Sequence, residues 1–116
     1  MDLLSGQNTF AIGMSSGMVY LYNQLSFQEV LVVNHGEPTR LIELDKLGKY
    51  LLTSGTTILS LWDLTGSMMW TTTMSSPCLA LCFSDDRIYG ITTTNGVVLW
   101  NMADGSVDNR HRYQYQ

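Results

Sequence analysis

Gly13-Met14-Ser15-Ser16-Gly17 matches G-x-S-x-G, the pattern that exposes a nucleophilic serine on a sharp turn between a strand and a helix. The next residues, Met18-Val19-Tyr20-Leu21-Tyr22, continue as a strand. The motif therefore reads as a hairpin turn, built from the small residues such turns require. A base for that serine would have to be His35 or His111, and His111 lies in a polar tail.

Other chemistry-bearing residues fare no better. Cys78 and Cys82 have C-x3-C spacing without the second Cys or His pair of a structural zinc site, so buried free thiols are expected. On an extended strand they share one face about 13 Å apart, beyond disulfide reach. Asp85-Asp86 reads as a solvated turn, and Gly48-Lys49 lacks both the earlier glycine and the following Ser or Thr of a phosphate loop. Trp70 and the seven methionines read as core and packing residues. His35, leading into a strand, reads as structural and hydrogen-bonded to a neighbour. No catalytic, cofactor-binding or metal-ligating residue is assigned, and an enzyme is not expected.

The elements around these residues must form one domain of 116 residues, 45% of them hydrophobic and only 14% charged. Abundant Thr, Ser, Gly, Tyr and Trp point to an all-β chain with few helices. A net charge of −4 gives no basic footprint for nucleic acid or anionic lipid, and Arg110-His111-Arg112 reads as a solvated cluster. No secretory signal, membrane-length apolar run or Asn-x-Ser/Thr acceptor is present, so the expectation is a cytoplasmic protein without nucleic-acid or membrane partners.

An aromatic residue followed by Asn or Asp recurs as Tyr22-Asn23, Trp62-Asp63 and Trp100-Asn101, at spacings of 40 and 38 residues. Each pair ends a strand, at residues 18–22, 58–62 and 97–100, and each such strand is preceded by a turn and another strand, at 9–14, 50–54 and 88–92. Residues 40–44 and 78–83 supply first strands, and 27–33 and 68–73 fourth strands. Residues 1–5 are enough for only the end of a first strand in the first unit. Four antiparallel strands per unit, at a period near 40 residues, is the pattern of a propeller blade. Residues 79–83 lack polar alternation, which predicts cover on both faces by stacked blades, with Leu79, Leu81 and Phe83 on one side and Cys78, Ala80 and Cys82 on the other.

These residues resemble the WD-repeat β-propeller family over residues 4–107. The resemblance rests on Trp62-Asp63, Trp100-Asn101 and His35, which stands 27 residues before Trp62 where the family's Gly-His pair places its histidine. It implies a partial propeller: an incomplete first blade (1–36), a complete second (37–74), an incomplete third (75–108) and a polar tail (109–116). It also implies a buried hydrogen-bond chain of His, Ser or Thr, Asp and Trp, of which His35, Thr53 and Trp62 supply three members. Asn34 replaces the glycine, the Gly55-Thr56-Thr57 turn has no Asp, Met74 stands in the third unit's histidine position and Tyr22 replaces the first unit's Trp. The phrases NHGEPTRLIEL and SGTTILSLWDLTG further resemble WD repeats of large fungal NACHT-containing receptors of the STAND type.

The function so implied is a non-catalytic protein-interaction scaffold. Partners of such propellers sit on the loops at 34–38, 75–77, 15–17, 55–57 and 94–96, where Glu37, Arg40, Ser16, Thr57 and Asn95 are the candidate contacts. Closed rings have about 4–8 blades, so copies of the chain or the blades of a longer one would complete it. The alternative is a propeller hydrolase or oxidoreductase whose site lies on those other blades.

Overall fold

A computed structural model describes residues 3–6, 9–45, 48–94 and 96–108. Eleven strands form among them: β1 (Leu3–Gly6), β2 (Thr9–Gly13), β3 (Met18–Asn23), β4 (Glu29–Asn34), β5 (Leu41–Leu44), β6 (Tyr50–Ser54), β7 (Ile58–Asp63), β8 (Met68–Thr73), β9 (Cys78–Ser84), β10 (Arg87–Thr92) and β11 (Gly96–Asn101). They pair only with sequence neighbours, antiparallel, into three sheets: β1-β2-β3-β4, β5-β6-β7-β8 and β9-β10-β11. Among the described residues there is no helix long and apolar enough to cross a membrane.

The recurring Asn or Asp has a local cause. Asn23, Asp63 and Asn101 each turn a side-chain oxygen onto the N–H two residues ahead, on Leu25, Thr65 and Ala103, at 2.8, 2.9 and 2.9 Å. This side-chain-to-backbone turn reverses the chain after the third strand of every unit. Asp63 also accepts from the Thr65 hydroxyl and the Ser67 N–H, and these donors hold its carboxyl below the usual carboxylate range.

Alternation then sorts the side chains into two seams between sheets. Ala11, Val19, Leu21 and Val33 of the first sheet meet Ile42, Leu51 and Trp62 of the second. The opposite face of the second sheet, with Leu52, Leu59, Leu61 and Trp70, meets Cys78, Leu81, Ile88, Val98 and Trp100 of the third. Among the described residues the middle sheet is covered on both sides, and its Leu51, Leu52, Leu59 and Leu61 are fully buried.

Four expectations are corrected. The first unit has more than the end of a first strand: β1 pairs with β2 along Leu3↔Ile12 to Gly6↔Thr9, so its sheet has four strands. β9 is not covered on both faces: Leu79 is 59% exposed, and Ala80 and Cys82 are exposed too. Its sheet is the last of the three among the described residues, and none of these covers that side. Nor do Cys78 and Cys82 share a face. Thr92 pairs with Cys78 and Ile91 with Ala80, leaving Leu79 as an extra residue that reverses the parity. Cys78 turns inward, where burial pushes its thiol up to about 11, while Cys82 faces out. Trp70 and Met74 are buried as expected, but Met14, Met68 and Met69 are 40%, 47% and 48% exposed.

Candidate functional site

Register brings the chain of polar residues together. Ile42, Leu51, Thr53, Ser60 and Trp62 lie on the face of the second sheet that meets the first, and His35 follows β4 to arrive at the same seam. The Trp62 indole Nε1–H donates to Thr53 Oγ1 at 2.9 Å, and Thr53 Oγ1 lies 2.7 Å from His35 Nδ1. Thr53 is fully buried, His35 4% exposed and Trp62 6%. The Thr53 hydroxyl, which accepts from the indole, thus joins Trp62 to His35, and the His35 tautomer decides which of Oγ1 and Nδ1 donates.

Nε2 faces Glu37 Oε1 across 3.8 Å. Burial lowers the proton affinity of His35, and the Glu37 charge and the Ile58 backbone only partly oppose it. Burial therefore favours the neutral imidazole, and its buried Nε2 has no hydrogen-bond partner among the described residues.

Glu37 is the member that sequence reasoning missed. The turn at residues 55–57 lacks an Asp, but Glu37 reaches it from the loop after β4. Its Oε1 accepts from the Thr57 and Ile58 N–H groups at 2.8 and 2.7 Å, and its Oε2 from the Thr57 hydroxyl at 2.9 Å. Burial would raise the carboxyl, yet these donors outweigh it and hold Glu37 below the usual range. Two glycines make room. A Cβ on Gly55 would strike the Glu37 side chain, and one on Gly17, at φ 97°, would lie 2.9 Å from the Glu37 carbonyl oxygen. Gly55 beside a turn whose N–H groups need an acceptor was the available signal.

The candidate loop contacts divide accordingly. Glu37 is not a free orienting charge, because the turn after β6 occupies both carboxylate oxygens, and Thr57 is its donor. Arg40 is exposed, with its backbone N–H on the Ser54 carbonyl at 2.7 Å. Ser16 is exposed in the turn between β2 and β3, where β3 rather than a helix comes after the G-x-S-x-G stretch. Asn95 and His111 lie outside the described residues.

The second seam has the same frame with different chemistry. The Met74 N–H bonds the Thr57 carbonyl at 2.7 Å, as the His35 N–H bonds that of Gly17, so Met74 occupies the histidine's place. Gly90 stands where Thr53 does, and a Cβ there would come within 2.7 Å of the Trp100 ring. The Cys78 thiol points at the Met74 sulfur across 3.5 Å. Among the described residues no three His, Cys, Asp or Glu side chains gather to hold a metal ion.

No family model and no curated protein matches this sequence. Solved structures do match its fold. BamB from Moraxella catarrhalis superposes with a TM-score of 0.85 at 18% identity, over 99% of this chain and 35% of that one. The Cps50 (Swd1) β-propeller domain from Myceliophteria thermophila gives 0.79 at 15%, over 97% and 37%. The computationally designed Ika4 protein gives 0.81 at 15%, over 98% and 73%. The chain thus spans about a third of the length of the first two, and its fold is that of consecutive β-propeller blades, two of four strands and one of three among the described residues.

Proposed function

We propose that this chain is a non-catalytic propeller segment that serves as a protein-interaction scaffold of the WD-repeat kind. The observation that carries the reading is the pair of outer sheet faces left uncovered among the described residues. On the first sheet Phe10 stacks on Tyr22 at 5.4 Å between ring centroids, Tyr22 on Tyr20 at 6.4 Å, and Phe27, 72% exposed, sets its edge against Phe10. On the third sheet Ala80, Cys82, Tyr89, Ile91 and Val97 line an apolar groove of about 270 Å³. By register these are the two halves of one blade-to-blade seam. Tyr22 occupies the place of Trp62, and Val97 that of Leu59. Apolar and aromatic side chains gathered on an open sheet face suit an interaction surface.

Further blades, from copies or from a longer chain, satisfy both faces. The exposed loops carrying Arg40 and Ser16 remain for protein partners. The kinship with NACHT-containing receptors rests on residue likeness alone and belongs to this proposal. Size-exclusion chromatography with light scattering tests it. A discrete assembly that Tyr22→Lys and Ile91→Lys each dissociate is the expected result. A stable monomer with esterase activity or stoichiometric bound metal would overturn the reading.

A further inference from the structure

The turn after the third strand recurs in each unit with one residue exchanged. Phe27, Gly66 and Gly105 hold the same place in it: each gives its N–H to the carbonyl of the Asn or Asp that opens the turn, Asn23, Asp63 or Asn101, at 2.8, 3.2 and 2.8 Å. The residue after each, Gln28, Ser67 or Ser106, accepts from the N–H of that same Asn or Asp. All three have left-handed backbone, with φ of 57°, 97° and 76°. A Cβ crowds the chain in that conformation, so glycine is the residue it calls for, and a bulky side chain there is strained.

The two glycines also answer to the preceding sheet. A Cβ on Gly66 would lie 3.1 Å from Leu31 Cδ1 of the first sheet, and one on Gly105 would lie 2.5 Å from the Trp70 ring of the second. Leu31 and Trp70 are equivalent fourth-strand residues, paired with Leu21 and Leu61. The Trp70 indole is fixed over the third unit's turn by its Nε1–H on the Met102 carbonyl at 2.7 Å. In both seams, then, a large side chain of one sheet fills the space that a side chain on the next unit's turn would need.

Phe27 inverts that arrangement. On equivalent backbone its Cβ leaves the turn on the side where Leu31 and Trp70 sit in the two seams, and its ring stands edge-on to Phe10 at 6.3 Å, 72% exposed. Phe10 pairs with Tyr22, which holds the place of Trp62 on the face that meets the preceding sheet. A blade stacked there as the described sheets stack on one another, with a leucine or tryptophan in the place of Leu31 or Trp70, would collide with the Phe27 ring. Strain of this kind gathers where a side chain has a contact to make, and burial within its own sheet does not offset it.

We propose that Phe27 selects the neighbour of the first sheet, a four-stranded propeller blade that carries Gly, Ala or Ser where β4 has Leu31 and β8 has Trp70. The ring enters the space that the small residue leaves, and a blade with a large residue there is rejected by overlap. The proposal rests on the scaffold reading and names the partner for one of its faces.

The test joins a second copy of residues 37–77 ahead of Leu3 in the otherwise whole chain, so β5 to β8 and the linker that leads into β9 now lead into β1. Four forms differ only at Trp70 of the added copy, native or Trp70→Ala, and at Phe27, native or Phe27→Gly. Docking is read as the rate of limited proteolysis within the added copy. Burial of Cys78, which the added copy does not contain, reports in each form that the second and third sheets remain packed. With Phe27 native, the Trp70→Ala copy is expected to be cut at least tenfold more slowly than the Trp70 copy. Phe27→Gly is expected to restore resistance to the Trp70 copy. In the chain without an added copy, Phe27→Gly is expected to raise the urea midpoint, because it relieves strain and removes a ring that is little buried.

Equal cleavage of all four forms, fast or slow, would overturn the proposal. So would a lowered midpoint for Phe27→Gly in the chain alone, since Phe27 would then be a structural partner of Phe10. Assembly that Tyr22→Lys and Ile91→Lys dissociate, found together with equal cleavage, refutes this inference alone and leaves the scaffold reading standing.

Discussion

Thr53→Val replaces one buried hydroxyl by a methyl of nearly equal volume, so no cavity forms and the loss is purely that of polar pairing. Two groups are orphaned: the Trp62 indole N–H, which loses its acceptor at 2.9 Å, and His35 Nδ1, which loses its partner at 2.7 Å. A buried polar group left unpaired costs about 1–3 kcal/mol, so the pair sets the expected loss at about 2–6 kcal/mol. Urea unfolding followed by tryptophan fluorescence at pH 7.5 is the assay. With slopes of about 1–3 kcal/mol per molar, a loss near 3 kcal/mol lowers the midpoint by about 1–3 M. Thr53→Ser, which keeps the hydroxyl, is expected to lose only the cost of a methyl group, about 1 kcal/mol. A double-mutant cycle with Trp62→Phe is expected to return a coupling of about 1 kcal/mol or more, because both changes remove the same bond. A Thr53→Val shift below about 0.5 kcal/mol, within the range of neutral surface changes, would refute the claim that this hydroxyl joins the chain.

Gly55→Ala is expected to displace the Glu37 carboxylate from the turn, with a loss comparable to that of Glu37→Ala, about 1.5–3 kcal/mol for bonds to a charged acceptor. The combined variant, unfolded in urea, is expected to fall no further than either alone. Stability is expected to decline on acidification. His35, whose folded pKa is depressed below 6.5, begins to lose its contribution as the unfolded chain takes up a proton below that value. Glu37, depressed below 4.5, loses its own contribution as pH falls further through its folded pKa. Glu37→Gln is expected to flatten the lower part of that decline in melts between pH 3 and 7. Ellman's reagent is expected to titrate Cys82 in the native chain, and Cys78 only after unfolding, since Cys78 is 1% exposed and its thiol is raised to about 11.

The repeat was legible because its marks are local. An Asn or Asp must follow the aromatic residue to bond the N–H two positions on, and that demand recurs wherever a third strand ends. Thr53 and Trp62 were legible for a related reason, since fixed hairpin registers bring fixed sequence offsets to one face. Glu37 was not, because its partners lie 20 and 21 residues away, and nothing in the loop after β4 specifies that its side chain reaches the turn after β6. The faces of Cys78 and Cys82 were misread because counting by twos assumes no extra residue, and Leu79 is one. Cover over β9 was overestimated because an apolar run records what a sheet is suited to meet, and this sheet ends the described stack.

The unlike chemistry of the two seams sets how far each can be adjusted. Hydrogen bonds of 2.7 to 2.9 Å through Thr53, with Glu37 gripping the next turn, tolerate little change in the wedge between the first and second sheets. Between the second and third, sulfur, a bare glycine and an indole face meet by close packing, with the Cys78 thiol on the Met74 sulfur. A change at Met74, Gly90 or Trp100 is therefore felt as packing volume, and one at His35, Thr53 or Trp62 as a broken directed bond.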